Sequence, residues 1–171
     1  MVRRSFEEKQ LSLKFLLEAE AEAWNDVFWP TEQIRVLTSG AYDMLHVGHI
    51  QYLESAAALG GMLIVGVDSD ARIKKSKGEF RPIFLQDERL AIVSALGCVT
   101  YALIFDDMRE LMDAVRPQIM VVSPTSSEDT AFDRLAYAES KNIHVQAIPP
   151  RSNMHTSDHL HRILARFANR E

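Results

Sequence analysis

His46 and His49 bracket Gly48 near the end of the run Thr38-Ser39-Gly40-Ala41-Tyr42-Asp43-Met44-Leu45-His46-Val47-Gly48-His49. On a helix, residues three apart lie one turn from each other and face the same direction. The glycine between them removes a side chain, so an anion can approach the backbone closely. Two imidazole donors beside the N–H groups and positive dipole end of a starting helix suit a polyphosphate. Two blander readings stand beside that one: capping or surface histidines, and a zinc pair, which lacks a nearby Cys or further spaced ligands.

Further polar residues gather where the same site would form. Thr38, Ser39 and Gly40, leaving a strand, can offer backbone and hydroxyl groups to a ligand. Asp43 has two readings, a carboxylate that orients the first helical turn or a histidine tautomer, and a plain turn or N-cap residue. Lys74, Lys75 and Lys77 form a charge run after the second strand, either a solvated loop or a source of cations for phosphate. Arg89, in the first turns of a helix, is unfavourable for the dipole unless something negative is near, either a phosphate or Asp43. Thr156, Ser157 and Asp158 enter the last helix, where capping and phosphate binding both explain them. Tyr42, His144, His159, His161, Trp24 and Trp29 read as core, surface or packing residues, and no metal-ligand set closes among the histidines.

The elements that must position these groups alternate. Strands are expected at Ile34–Leu37, Met62–Val67, Thr100–Phe105, Ile119–Val122 and Ile143–Ile148. Helices are expected at His49–Leu59, Asp87–Leu96, Met108–Val115, Ala131–Ser140 and Ser157–Ala168. Such alternation implies an α/β, Rossmann-like, doubly wound five-stranded parallel sheet with helices on both faces. Ligands of such sheets bind at the carboxyl ends of the strands, at the topological switch point. Residues 1–33 fall outside the alternation and read as an N-terminal helical extension (helix over 6–24), with the domain proper at 34–171.

At 171 residues the chain suits one domain with a full core, and a hydrophobic share of 47% against 25% charged is that of a soluble globular protein. A net charge of −5 argues against general nucleic-acid binding, so phosphate affinity must come from a few local cations. The single cysteine, Cys98, excludes an intrachain disulfide. Without a membrane-length apolar run or a signal-peptide pattern, the expectation is a cytoplasmic protein with no membrane partner.

The His46-Val47-Gly48-His49 run resembles the H-x-G-H signature of the cytidylyltransferase-like nucleotidyltransferases. Arg81-Pro82 through Arg89 resembles the R-P-x6-R stretch of the bacterial heptose-phosphate adenylyltransferases, and Lys77 before Gly78 is similar to the family's phosphate-binding lysine. Arg151 to Asp158 resembles the family's I-S-T-T segment, with His155 and Asp158 departing from it. Ser123 to Asp129 departs from the family's Gly-Asp acceptor loop.

The resemblance implies transfer of a nucleotidyl group from a nucleoside triphosphate, with Mg2+ bound through it, to a phosphorylated small molecule, and commonly a homodimer. It implies catalytic His46, His49 and Lys77. Thr38, Ser39, Gly40, Asp43, Gly48, Arg89, Arg151, Thr156 and Ser157 would bind nucleotide, and Lys75 and Arg81 the acceptor. Leu96 to Tyr101 lacks the arginine segment of the glycerol-phosphate and choline-phosphate cytidylyltransferases. ATP with a sugar phosphate is therefore favoured over CTP with a polyol or amino-alcohol phosphate. A nucleotide-binding module that has lost catalysis is the reading from a different class.

Overall fold

The computed structural model describes residue 5 and residues 7–11, 33–124, 131–149 and 156–168. Five strands, β1 (Arg35–Gly40), β2 (Met62–Asp68), β3 (Tyr101–Phe105), β4 (Ile119–Val122) and β5 (His144–Ala147), form one sheet. Its order is β3-β2-β1-β4-β5 and every pairing is parallel. The chain winds outward from β1 to β3 and then restarts on the other side of β1. This puts the topological switch between β1 and β4.

The helices are α1 (Val47–Ala57), α2 (Asp70–Lys77), α3 (Gln86–Ala95), α4 (Met108–Val115), α5 (Ala131–Ser140) and α6 (Thr156–Phe167). Alternate strand residues enter opposite faces, as a period of two demands. Leu37, Ile64 and Leu103 pack with Leu111, Met112 and Val115 of α4, whereas Val36, Leu63 and Val65 pack with Leu53 of α1 and Val93 of α3. A side chain at Gly66 would bring a Cβ within 2.6 Å of Leu111, so glycine there lets α4 lie close on the sheet.

The strands and helices expected from residue 34 onward are present, with two differences. β1 runs on through Thr38, Ser39 and Gly40, which pair with Val65, Gly66 and Val67. The lysine run is not a loop but the last turn of α2. That helix has one buried residue, Ile73, so it carries almost no apolar periodicity. Its ends are well specified: Ser69 Oγ accepts from the Arg72 N–H at 3.1 Å, and Gly78 closes it at φ 91°. Lys74, Lys75 and Lys77 then sit at the negative end of its dipole.

At the N-terminus, Glu7–Lys9 forms a short 3-10 turn rather than the start of an α-helix. Gln10 bridges Ala102, and the Leu11 N–H donates to the Ala102 carbonyl at 2.9 Å, covering the edge of β3. The remainder of the expected N-terminal helix, with Trp24 and Trp29, lies outside the described residues. No helix among the described residues is long and apolar enough to cross a membrane.

Candidate functional site

The site forms where β1 outruns its neighbour. Pairing with β4 ends at Thr38 opposite Val121, so Ser39 and Gly40 extend past it on that side. The loop that follows is tightly wound, with Tyr42 at φ 49° and Met44 at φ 54°. Two non-glycine residues in the left-handed region persist only where their surroundings over-determine them. Asp43, between them, supplies the constraint. Its carboxylate accepts from Arg81 Nε at 2.8 Å, from the Ile83 N–H at 3.0 Å and from the Phe84 N–H at 3.0 Å. Tyr42 meanwhile packs into the core. Burial alone would raise the Asp43 carboxyl, but the Phe84 and Ile83 N–H groups and the Arg81 guanidinium outweigh it and hold it below the ordinary carboxylate range.

The loop delivers the histidines to the first turn of α1. His46 is the N-cap, in extended conformation, and its Nδ1 accepts from the Gly48 N–H at 3.2 Å. His49 Nδ1 accepts in turn from the His46 N–H at 3.4 Å. The rings stack at 3.8 Å between centroids. Capping and phosphate binding are therefore compatible rather than rival readings. Because Nδ1 of each ring is an acceptor, this hydrogen-bond network assigns the proton of the neutral imidazole to Nε2. The pair thus forms two Nε2–H donors fixed at a helix N-terminus.

α6 reaches the same loop from the far end of the chain, the Thr156 hydroxyl donating to the Asp43 carbonyl at 2.8 Å. Ser157 follows in the exposed first turn. The Thr156 hydroxyl is thus engaged in seating the helix, and what this turn offers an anion is its backbone N–H groups.

Lys77 ends α2 with its ammonium in the field of Arg81, Asp68 and Asp43. Burial, and then the Arg81 guanidinium, hold its pKa below the ordinary lysine value. Lys75 and Lys77 are both exposed residues on this helix, and it is the Lys77 ammonium, beside Arg81, Asp68 and Asp43, that its neighbours partly desolvate.

Three expected ligand residues are placed differently. Arg89 is fully buried beneath the site and its guanidinium ties the loops together. It donates to the carbonyls of Phe84 at 2.9 Å, Ala41 at 2.7 Å and Asp68 at 2.7 Å, and to the Asp70 carboxylate at 2.7 Å. Those partners, rather than a phosphate, account for the cation in the first turns of α3. Thr38 is also buried, its hydroxyl bonded to Tyr52 at 2.8 Å and to the Val121 carbonyl at 3.1 Å, so it braces the switch point from within. Asp43 anchors Arg81, Ile83 and Phe84 through its carboxylate. Arg81 is committed to that carboxylate while its side chain stays partly exposed.

Arg151, His155 and most of the atypical 123–129 loop lie outside the described residues. One residue set aside in the sequence comes to the site: His159, on α6, lies with its ring centroid 5.5 Å from that of His46. Its spacing of three from Thr156 was the available signal, since the two share a helix face.

Comparison with known proteins bears on the family and the fold. A family model described as cytidylyltransferase-like matches residues 37–162. The bifunctional protein HldE of Syntrophotalea carbinolica is 35% identical over 158 residues, covering 91% of this chain and 30% of the relative. The match thus spans less than a third of the length of the HldE proteins, between 18% and 30%. The crystal structure of the lipopolysaccharide core biosynthesis protein from Thermoplasma volcanium is 31% identical with a TM-score of 0.60, covering 71% of this chain and 99% of that one. Pantothenate synthetase from Thermus thermophilus, 14% identical with a TM-score of 0.54 over 82% of this chain and 61% of its own, shares the fold.

Proposed function

Since the chain belongs to the cytidylyltransferase-like family, we propose that it transfers a nucleotidyl group from a nucleoside triphosphate to a phosphorylated small molecule. ATP and a sugar phosphate are the favoured pair, and pyrophosphate is released. A phosphomonoester oxygen of the acceptor attacks the α-phosphorus in line. The new P–O bond forms as the bond to the β-phosphate breaks, and the electron pair leaves with pyrophosphate.

The observation that carries this reading is the paired use of Nδ1 in His46 and His49. With Nδ1 accepting, each ring carries its proton on Nε2, from which it would stabilise charge that grows on the α-phosphoryl and leaving oxygens. Lys77 balances charge on the phosphates. The N–H groups opening α6, with Ser157, hold the β- and γ-phosphates. Asp43, Arg81 and Arg89 keep the loop in shape, so the donors need no reorganisation during the reaction. Among the described residues, no group of three or more His, Cys, Asp or Glu is arranged to hold a metal ion. Mg2+ would enter bound through the triphosphate, where it would screen phosphate charge.

The preference for ATP rests on Leu96-Gly97-Cys98-Val99-Thr100-Tyr101, which lacks the arginine segment of the cytidylyltransferases that use CTP. The test is pyrophosphate release from ATP and from CTP over a panel of sugar and polyol phosphates. Release that requires ATP and one sugar phosphate, and disappears in His46→Ala, is the expected result. Release with CTP and a polyol phosphate alone would move the assignment to a cytidylyltransferase. Tight nucleotide binding without turnover on any acceptor would favour a binding module.

A further inference from the structure

We propose that His159 is a third imidazole of the phosphate site, donating from Nε2 to the same polyphosphate that His46 and His49 hold. The inference rests on the nucleotide-binding reading above and adds a residue to it.

The placement follows from the helix. Thr156 and His159 are three residues apart on α6 and so share a face. That face is docked on the histidine loop at two points. Thr156 Oγ1 reaches the Asp43 carbonyl at 2.8 Å, and the His159 ring lies 5.5 Å from that of His46 at an interplanar angle of 33°. With ring centres at that separation, one phosphoryl group can engage nitrogens of both rings.

The state of the His159 nitrogen gives the second reason. Nε2 is shut off from solvent and, among the described residues, has no hydrogen-bond partner. A polar atom held out of water without a bond is costly, and a leucine or isoleucine at this helix position would pack without that penalty. Buried orphans of this kind call for a group that completes them. A phosphate oxygen is the acceptor that fits, because the helix N-terminus and the two neighbouring imidazoles favour an anion here. A metal fits less well: the His46 and His49 rings stack at 25° rather than converge on a point.

Calorimetry of the full chain with inorganic tripolyphosphate, and with ATP in Mg2+, tests this without knowledge of the acceptor. His159→Phe keeps a ring against His46 and removes the nitrogen, whereas His159→Gln keeps an N–H donor and removes the ring. The expected result is binding of both probes weakened about tenfold in His159→Phe, as for loss of one charge-assisted hydrogen bond, with most of the loss recovered in His159→Gln. Unchanged affinity in His159→Phe overturns the proposal, since the ring would then act by packing alone, as does an equal loss in His159→Gln, since an N–H donor at this position would then not be what the probe engages. If the unaltered chain binds neither tripolyphosphate nor ATP, nor CTP as a third probe run on the unaltered chain, the nucleotide reading itself falls, and His159 with it.

Discussion

Arg81 Nη2 lies 2.7 Å from Asp43 Oδ2, and the carboxylate in this pair is almost wholly buried. The pair joins the loop that carries the histidines to the strap between α2 and α3, and the Ile83 and Phe84 N–H groups complete the junction. Its role is to hold the backbone that aims His46 and His49.

Asp43→Asn removes the buried anion and leaves the partly exposed Arg81 guanidinium without its counter-ion. Breaking a buried pair from one side costs about 3 kcal/mol, which denaturant unfolding at neutral pH would read. The pH dependence has a definite sign. The folded Asp43 carboxyl is depressed relative to the unfolded chain, so its stabilisation is fully present above the ordinary carboxylate value. It is lost as pH falls through the depressed folded value, that is, below about pH 4. Stability should therefore fall more steeply in acid for the unaltered protein than for Asp43→Asn. Parallel curves would mean that the pair does not carry the acid sensitivity.

His46 performs two tasks with two nitrogens, and substitution can separate them. Asparagine is a good N-cap, so His46→Asn should retain the acceptor for the Gly48 N–H and keep stability near that of the unaltered protein. His46→Ala should lose about 1 kcal/mol through the missing cap. Both should lower kcat by roughly 100-fold or more, because neither has the Nε2 donor. Thermal unfolding and steady-state kinetics on the two variants are the measurements. Full activity in His46→Asn would reduce the histidine to a cap.

The fold was legible in the sequence because its strands and most of its helices carry their own periodicity. Runs such as Met62 to Val67 are apolar throughout, as strands covered on both faces must be. α2 was hidden because a short surface helix with Ile73 as its single buried residue has no apolar stripe to read. The histidine pair was legible because its chemistry is local, contained in four residues. Arg89 was not. A sequence displays the charge of an arginine but not the carbonyl oxygens of Phe84, Ala41 and Asp68 that three separate segments fold around it. Thr38 was obscured in the same way, since its partners on Tyr52 and Val121 meet it only after the sheet has closed.

Arg89→Met should accordingly behave as a core substitution. It leaves three carbonyls without their donor and Asp70 without its counter-ion, for a loss of about 3 kcal/mol or more. Affinity for ATP, measured by calorimetry at a temperature where the variant remains folded, should change little. A variant of normal stability with sharply weakened nucleotide binding would instead return Arg89 to the ligand site.

Lys77 gives the last expectation, on the alkaline side. Its ammonium loses its proton more readily than an ordinary lysine, first because it is partly desolvated and second because Arg81 lies near. If the charged form offsets phosphate charge, kcat/KM should fall on an alkaline limb whose midpoint lies below the ordinary lysine value of about 10.4. Lys77→Arg keeps a cation that does not titrate in this range, so it should flatten that limb even though the altered geometry lowers the plateau. Lys77→Met should lower activity below that midpoint, converge on the unaltered protein above it, and so abolish the limb. Lys75→Met, in the exposed turn of the same helix, should keep the limb in place, because its ammonium is not the group that titrates. An unshifted limb in Lys77→Arg would assign the titration to another group and reduce Lys77 to a surface charge.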